Sequence, residues 1–139
     1  SVTYKKGVSV INICSAGMLE ARGFLACLFD VFAKNQISVD VVSTSEVSVS
    51  LTVDCEVSEA LVKELEEFSA VQVYEKMAIV CLVGGEIKSN KKVLGRLFMS
   101  VAENDVQMVS EGASKRNISF VVPEDQAQEV VIKVFNEFF

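Results

Sequence analysis

The chain has 139 residues, half of them apolar, and a formal net charge of −6. This length permits one ordinary domain or two small ones, and the apolar fraction supplies a packed core. The negative charge argues against nucleic acid and anionic membranes as partners, because both attract basic surfaces. No apolar run approaches the ~20 residues that a membrane-spanning helix requires.

The chain contains no histidine, which excludes Ser-His-Asp and Cys-His catalysis as well as histidine-based metal sites. It also has neither a P-loop nor a G-x-G-x-x-G motif, the two glycine-rich patterns that bind phosphates. The composition therefore favours a binding or regulatory module over an enzyme.

The four cysteines are Cys14, Cys27, Cys55 and Cys81, and they form no C-x-x-C pair. Each lies within or beside an apolar run, which predicts small buried hydrophobes rather than disulfides or metal ligands. Such thiols are typical of a reducing compartment, and we expect a cytoplasmic protein. The start, S-V-T-Y-K-K, has neither an initiator Met nor a signal-peptide pattern, which indicates a segment of a longer protein.

The first half of the chain predicts the order β-α-β-β-α-β. Residues 8–15 form an apolar strand, a β-hairpin covers residues 37–54, and residues 71–74 form a short last strand. Two helices alternate with these strands. The first runs from about residue 22 to residue 34, with a core stripe of Phe24, Leu28, Val31 and Phe32. The core stripe of the second is Val57, Leu61, Leu65 and Phe68.

The hairpin predicts one buried and one polar face. Its second strand alternates strictly from Val47, with apolar residues at odd positions and Ser48, Ser50, Thr52 and Asp54 at even ones. Hydroxyl residues at 43–45 suit the turn, because their side chains bond nearby backbone groups. The hairpin also brings Asp40 and Glu46 near the same turn. Their two carboxylates form either a seat for a cation or ammonium group, or a solvated polar face.

The second half begins the same pattern again. Residues 77–83 are nearly all apolar and predict a central strand covered on both faces. A helix over residues 91–103 carries Leu94, Leu97, Phe98 and Val101 at helical spacing. Strands at 106–110 and 117–122 flank a loop, and Pro123 fits the start of a last helix. The core side of that helix is predicted to be Ala127, Val130, Val131, Val134, Phe135 and Phe138.

Two halves of similar pattern indicate an internal duplication. The second half lacks a fourth strand, and residues 1–6, where Val2 and Tyr4 alternate with polar neighbours, are predicted to supply it. The fold class is thus α+β, with two ferredoxin-like βαββαβ units whose antiparallel four-stranded sheets carry helices on one face. The other face is uncovered or packs on a partner. The first unit, 7–76, is inserted in the second, 77–139 with 1–6.

Four motifs resemble the carboxy-terminal regulatory region of aspartate kinase: R-G-F-L-A at 22–26, I-S-V-D at 37–40, T-S-E-V-S-V-S-L-T-V-D at 44–54 and G-A-S-K-R-N-I-S-F-V-V at 112–122. They stand in the family's order and cover essentially the whole chain. The resemblance implies two ACT domains with the first inserted in the second. In the family an amino-terminal kinase domain, absent here, phosphorylates aspartate with ATP and Mg. The resemblance implies neither catalysis nor a cofactor for the region itself.

The resemblance further implies feedback regulation by an end product of the pathway to lysine, threonine and methionine. In the lysine-sensitive branch, the first ACT domains of two subunits pair edge to edge and the effector lies at their interface. Backbone N–H groups near the start of the first helix would bind the effector's carboxylate, and acidic side chains its ammonium groups. Carried over by position, the effector-binding residues are Met18, Ala21, Gly23, Phe24, Leu25, Ser38, Val39, Asp40, Ser45 and Glu46.

Three other interpretations stay open at the level of sequence. The module could bind threonine instead of lysine, since Glu20-Ala21 stands where some lysine-sensitive members carry His-Ser. It could be a ligand-free dimerisation module. Acylphosphatase shares the β-α-β-β-α-β order, but its chemistry needs an Arg in a phosphate-cradling loop, and the loop at residues 15–18 has none.

Overall fold

The computed structural model describes residues 1–15, 21–45, 48–84, 91–112 and 116–139. The chain divides into two compact units. The first unit is Val8–Glu75, and the second unit combines Ser1–Gly7 with Lys76–Phe139. The first unit is therefore inserted in the second, as the duplicated pattern predicts.

The first unit has the ferredoxin-like arrangement. The elements are β1 Val2–Ser15, α1 Ala21–Lys34, β2 Val42–Thr44, β3 Ser48–Val53, α2 Glu59–Glu66 and β4 Ser69–Val83. Residues of β1 and β4 belong to both units, and residues 8–15 and 69–75 are the parts in this one. The strand order is β2-β3-β1-β4, with β1 antiparallel to β3 and β3 antiparallel to β2.

The α1 stripe is buried as predicted, whereas of the second stripe only Leu61 and Leu65 lie buried in α2, and Val57 and Phe68 are half-buried outside the helix. All four stripe residues of α1 are buried, and they pack with Leu61 and Leu65 of α2 on one face of the sheet. The Ser58 hydroxyl begins α2 by accepting a hydrogen bond from the Leu61 N–H at 3.1 Å, as an N-cap residue does. At the end of α1, Gln36 has φ 56°, and Ile37 N–H reaches back to the Phe32 carbonyl, the pattern of a Schellman motif.

The second unit repeats the arrangement. Its further elements are α3 Val93–Ser100, β5 Met108–Ser110, β6 Asn117–Pro123 and α4 Ala127–Phe138, and a short 3-10 helix, Glu124–Gln126, precedes α4. The strand order is β1-β4-β6-β5. Ser1 and Val83 exchange hydrogen bonds in both directions, the pattern of an antiparallel pair, so the start of the chain supplies the strand beside β4.

Several predictions about exposure are wrong. In and just after α3, Leu97 and Val101 are buried together with Val93, whereas Leu94 is 36% exposed. Phe135 on α4 is 52% exposed and stacks on Phe139 instead of entering the core. None of the four cysteines is buried: Cys27 and Cys55 are exposed, Cys14 and Cys81 half-buried, and all four are free thiols.

The sheet face away from the helices carries buried residues, although in the first unit it also carries the exposed Gln72, which accepts a hydrogen bond from Asn12. Alternation along the strands places Val8 and Val10 of the first unit, and Met108 and Val121 of the second, on that face. All four are buried. In β4, residues 77–82 are apolar on both sides of the sheet and each is buried or half-buried, in agreement with the continuous apolar run at residues 77–83.

The long strands β1 and β4 each join two segments that the sequence reading kept apart. Between the two predicted segments of each strand lies one residue in the left-handed region: Gly7 with φ 73° in β1 and Lys76 with φ 55° in β4.

Gly7→Ala is expected to lower the free energy of unfolding by about 1–2 kcal/mol, because a Cβ disfavours a left-handed φ. No atom lies within 4 Å of that Cβ position, so the effect is purely conformational. The matched control is Gly95→Ala within α3, where a Cβ also meets nothing within 4 Å. There the change should stabilise by about 0.5–1 kcal/mol, because glycine is unfavourable in a helix. Urea denaturation measures the change in the free energy of unfolding for both variants. Equal changes would contradict the left-handed conformation of Gly7.

Candidate functional site

The hairpin end is closed by a pair of serines. The Ser45 N–H donates to the Ser48 carbonyl at 2.8 Å, and the two hydroxyl oxygens lie 2.9 Å apart. Ser45 is exposed. Glu46, which follows it, lies outside the described residues, so the predicted pairing of Glu46 with Asp40 stays a prediction.

Asp40 lies in a β-bulge that sequence reasoning did not find. The Asp40 N–H donates to the Thr52 carbonyl at 3.0 Å, and the Thr52 N–H donates to the Val41 carbonyl at 2.9 Å. Two residues of one strand thus face a single residue of the other, which defines a bulge. The Val41 N–H donates to Thr52 Oγ1 at 3.0 Å, and Thr52 is 0% exposed. Strict alternation placed Thr52 on a polar face, but its hydroxyl is used inside the structure.

The predicted residues at positions 38–40 differ in how far their side chains are buried. Ser38 and Asp40 are exposed, and Val39 is half-buried and packs against the core of the first unit. The two polar members of the three thus lie at the surface, and Val39 contributes to the core.

The start of α1 supplies backbone donors. The first N–H groups of a helix have no partner within it and favour anions, and the first turn of α1 carries no acidic residue. A Cβ at Gly23 would meet no atom within 4 Å, so there is open space beside this turn. Ala21 begins the helix, and Met18 lies outside the described residues.

Phe24 is a core residue. It is 5% exposed, and its ring meets that of Phe68 edge to face, with centroids 6.1 Å apart. Leu25 is half-buried and packs against the same cluster. Phe24 therefore fills the core of the first unit and offers little surface to a ligand.

The polar candidates lie at two levels of the sheet. Asp40 is opposite Thr52, whereas Ser45 is opposite Ser48, four residues along β3. At about 3.3 Å per residue the two levels are roughly 13 Å apart. β2, which lies between them, is the last strand in the sheet order of this unit. One chain therefore presents the two groups along one edge and does not gather them in one cavity.

The second unit contains the same bulge at the equivalent place. The Gln107 N–H donates to the Val121 carbonyl at 2.7 Å, while Met108 is the ladder partner of Val121. Gln107 therefore corresponds to Asp40, and Val121 to Thr52. The second unit has an amide in place of the carboxylate and no hydroxyl at the bulge.

Two surface cavities lie away from all these residues. One, of ≈ 270 Å³, lies between α2 and β4 and is lined by Val57, Val62, Val73 and three glutamates, among other residues. The other, of ≈ 610 Å³, lies at the ends of α3 and α4. In the described part of the chain no cluster of His, Cys, Asp or Glu could hold a metal ion, and no helix there is long and apolar enough to cross a membrane.

Comparison with known proteins finds the ACT domain twice in this chain. The sequence model of that family matches residues 11–67 and 80–138. Aspartokinase 2, chloroplastic, of Arabidopsis thaliana is 39% identical over 153 aligned positions, which cover 100% of this chain and 28% of the relative. The chain thus spans less than a third of that protein.

Solved structures agree in sequence and in fold. A domain from Porphyromonas gingivalis W83, assigned as a C-terminal regulatory domain of aspartate kinase, is 32% identical with a TM-score of 0.89, covering 100% of this chain and 96% of that one. Escherichia coli aspartokinase III with aspartate and ADP, in its R-state, gives 32% identity and a TM-score of 0.92, covering 100% of this chain and 33% of that one. The same enzyme with lysine and aspartate, in its T-state, is 33% identical with a TM-score of 0.86, covering 100% of this chain and 33% of that one.

Proposed function

The chain belongs to the ACT domain family, as the regulatory region of an aspartokinase, and we propose that it binds free lysine between the first units of two copies and thereby inhibits the parent enzyme. The observation that carries this proposal is the arrangement of polar groups along an edge strand. The structure of the related Escherichia coli enzyme with lysine bound supports lysine as the effector.

A two-fold axis between two copies would bring the two groups of polar residues together. If β2 pairs with β2 of a second copy in antiparallel fashion, an axis near Val42 and Ser43 brings Asp40 of one copy beside Ser45 of the other. The separation of roughly 13 Å within one chain then becomes proximity between chains. An isologous contact of this kind makes two identical sites per dimer, each of which is incomplete in a single copy.

The chemistry of each site suits a dicationic amino acid. The exposed Asp40 carboxylate can accept a charge-assisted hydrogen bond from an ammonium group, and the Ser45 hydroxyl offers a further acceptor. Glu46 is proposed as the second carboxylate. The N–H groups at the start of α1 and the open space beside Gly23 suit the effector's carboxylate. Leu25 provides apolar surface for its methylenes.

The parent enzyme is proposed to phosphorylate aspartate with ATP and Mg in a separate amino-terminal kinase domain. Lysine can shift that enzyme only by binding one arrangement of the dimer better than another, and a coupling of about 1–3 kcal/mol is usual for such effectors. The four free thiols suit a reducing compartment such as the cytoplasm, which we propose as its location.

Lysine is expected to raise the thermal unfolding temperature of this chain, and threonine to leave it nearly unchanged. At a concentration of 100 times the Kd, a ligand that binds only the folded state adds about 2.7 kcal/mol. Differential scanning fluorimetry and calorimetric titration with each amino acid measure this, and sedimentation should show a dimer with lysine. If threonine alone raised the unfolding temperature, threonine and not lysine would be the effector. Dimers without any shift would indicate a ligand-free dimerisation module.

A further inference from the structure

The first unit has a second sheet edge, opposite the edge that β2 forms. In its order β2-β3-β1-β4 the strand β4 comes last, and β6 pairs with β4 only from Met77 onward. Among the strands that the structure describes, none pairs with the outer side of residues 69–75. Residues 69–74, S-A-V-Q-V-Y, contain no charged residue and no proline. Since natural edge strands usually carry lysine, proline or a bulge that prevents pairing, this edge is open to an added strand.

An apolar groove lies beside this edge. It is the cavity of ≈ 270 Å³ between α2 and β4, and three half-buried valines form its apolar lining: Val57, Val62 and Val73. Three exposed glutamates also line it: Glu59, Glu66 and Glu75. Within the part of the chain that the structure describes, none of these three carboxylates has an ion pair or a hydrogen bond. The groove therefore combines an apolar floor with carboxylates that a ligand can reach.

The groove belongs to the segment that carries the whole net charge of the chain. Residues 54–75 contain seven acidic residues and one lysine, a net charge of −6, which equals that of all 139 residues. Such concentrated negative charge around an apolar strip favours a partner that has both basic and apolar side chains. It disfavours pairing of β4 with β4 of a second copy, because that contact would bring like charges together.

We propose that this edge and groove bind an extended basic segment of a partner protein, which adds to the sheet as a strand beside β4. An added strand forms main-chain hydrogen bonds with the edge, and every second side chain points to the same face. On the face that carries α2, apolar side chains in the middle of the segment contact Val73, and lysine or arginine side chains beside them meet Glu66 and Glu75. This docking surface lies at the opposite edge from the proposed lysine site and does not depend on it.

The test is an NMR titration of the whole chain with a capped probe peptide, Arg-Thr-Val-Thr-Val-Thr-Arg, whose valines and arginines share one face of a strand. It should shift alternate backbone amides of residues 69–75, with a Kd below about 1 mM. The matched peptide Arg-Thr-Val-Pro-Val-Thr-Arg has the same charge, but its proline cannot donate to a strand ladder. Its Kd should be at least about fivefold higher. Equal Kd values for the two peptides, or no shift of these amides at about 1 mM peptide, would overturn strand addition.

Paired charge variants test the groove. Glu66→Gln combined with Glu75→Gln should raise the Kd of the first peptide about threefold to tenfold, because each exposed ion pair contributes a small factor to affinity. The matched control, Glu103→Gln combined with Glu129→Gln, removes the same charge from exposed positions of the second unit and should leave that Kd unchanged. Equally weakened binding in both would show a response to net charge alone and overturn the groove. Amide shifts of residues 69–75 that grow with protein concentration without peptide would assign the edge to a second copy and overturn the basic partner.

Discussion

Asp40→Asn should weaken lysine binding by about 10- to 100-fold, because hydrogen bonds to charged groups contribute about 1.5–3 kcal/mol. The substitution keeps the size of the side chain and both backbone bonds of the bulge, and it removes only the charge that attracts an ammonium group. Asp40 is exposed, so folding should be nearly unaffected. Calorimetric titration with lysine measures the effect, and sedimentation in the presence of lysine should show a smaller fraction of dimer.

The matched control for this charge change is Asp30→Asn on α1. Asp30 lies in the same unit and forms an exposed ion pair with Lys34, with Oδ2 and Nζ 2.9 Å apart. The hydrogen bond to Asp30 raises the pKa of Lys34. Since exposed pairs of this kind contribute little to stability, Asp30→Asn should change neither folding nor the lysine Kd. A loss of affinity in both variants would mean that lysine responds to net charge and not to a site at Asp40.

Phe120→Ala is expected to have the largest effect on stability, a loss of about 3–5 kcal/mol, which is usual for a buried aromatic. Phe120 is 0% exposed at the centre of the second unit, and its ring meets that of Phe98 edge to face with centroids 6.1 Å apart. Removing it leaves a cavity that the surrounding strands and helices cannot close, because their side chains are already close-packed. Chemical denaturation of the whole chain gives the change in unfolding free energy.

Phe135→Ala provides the comparison, because it deletes the same side chain from the surface of the same unit. Phe135 was predicted to be a core residue, yet it is half exposed and stacks on Phe139. The loss there should stay below about 1 kcal/mol, since surface substitutions away from special features have small effects. If both variants lost several kcal/mol, the assignment of Phe135 to the surface would be wrong.

The residues of the two cores were largely predictable, and the errors share one cause. The α1 stripe was correct because Phe24, Leu28 and Val31 repeat at helical spacing over a full length of helix. Leu94 and Phe135 lie outside the buried stripes, because periodicity shows which residues share a side of a helix but not how wide the buried part of that side is. That depends on where the helix begins and which neighbour it meets. The cysteines were wrong for a related reason, since apolar neighbours in sequence do not fix the direction of a side chain.

The candidate site was only partly predictable. The hairpin pattern singled out Asp40 but left open whether it binds an ammonium group or faces solvent, and the likeness to a family favoured the first role and added Ser45. The bulge at Asp40 leaves no signature in the sequence, because Thr52 fits the alternating pattern of an ordinary strand. Its hydroxyl was assigned to a polar face, and only the pairing of the two strands reveals that it accepts from Val41 N–H. The distance between Asp40 and Ser45 along the edge was likewise hidden, since it depends on the register of the hairpin.

The sequence by itself determined the duplicated β-α-β-β-α order, the insertion of one unit in the other and most of the buried stripes, because those follow from the period of apolar residues along the chain. Only the tertiary structure decided which strand lies at the edge, where the bulge falls and how far apart the polar groups stand. These depend on hydrogen bonds between residues distant in sequence, such as Val41 and Thr52, and such pairings are settled by the packing of the whole unit.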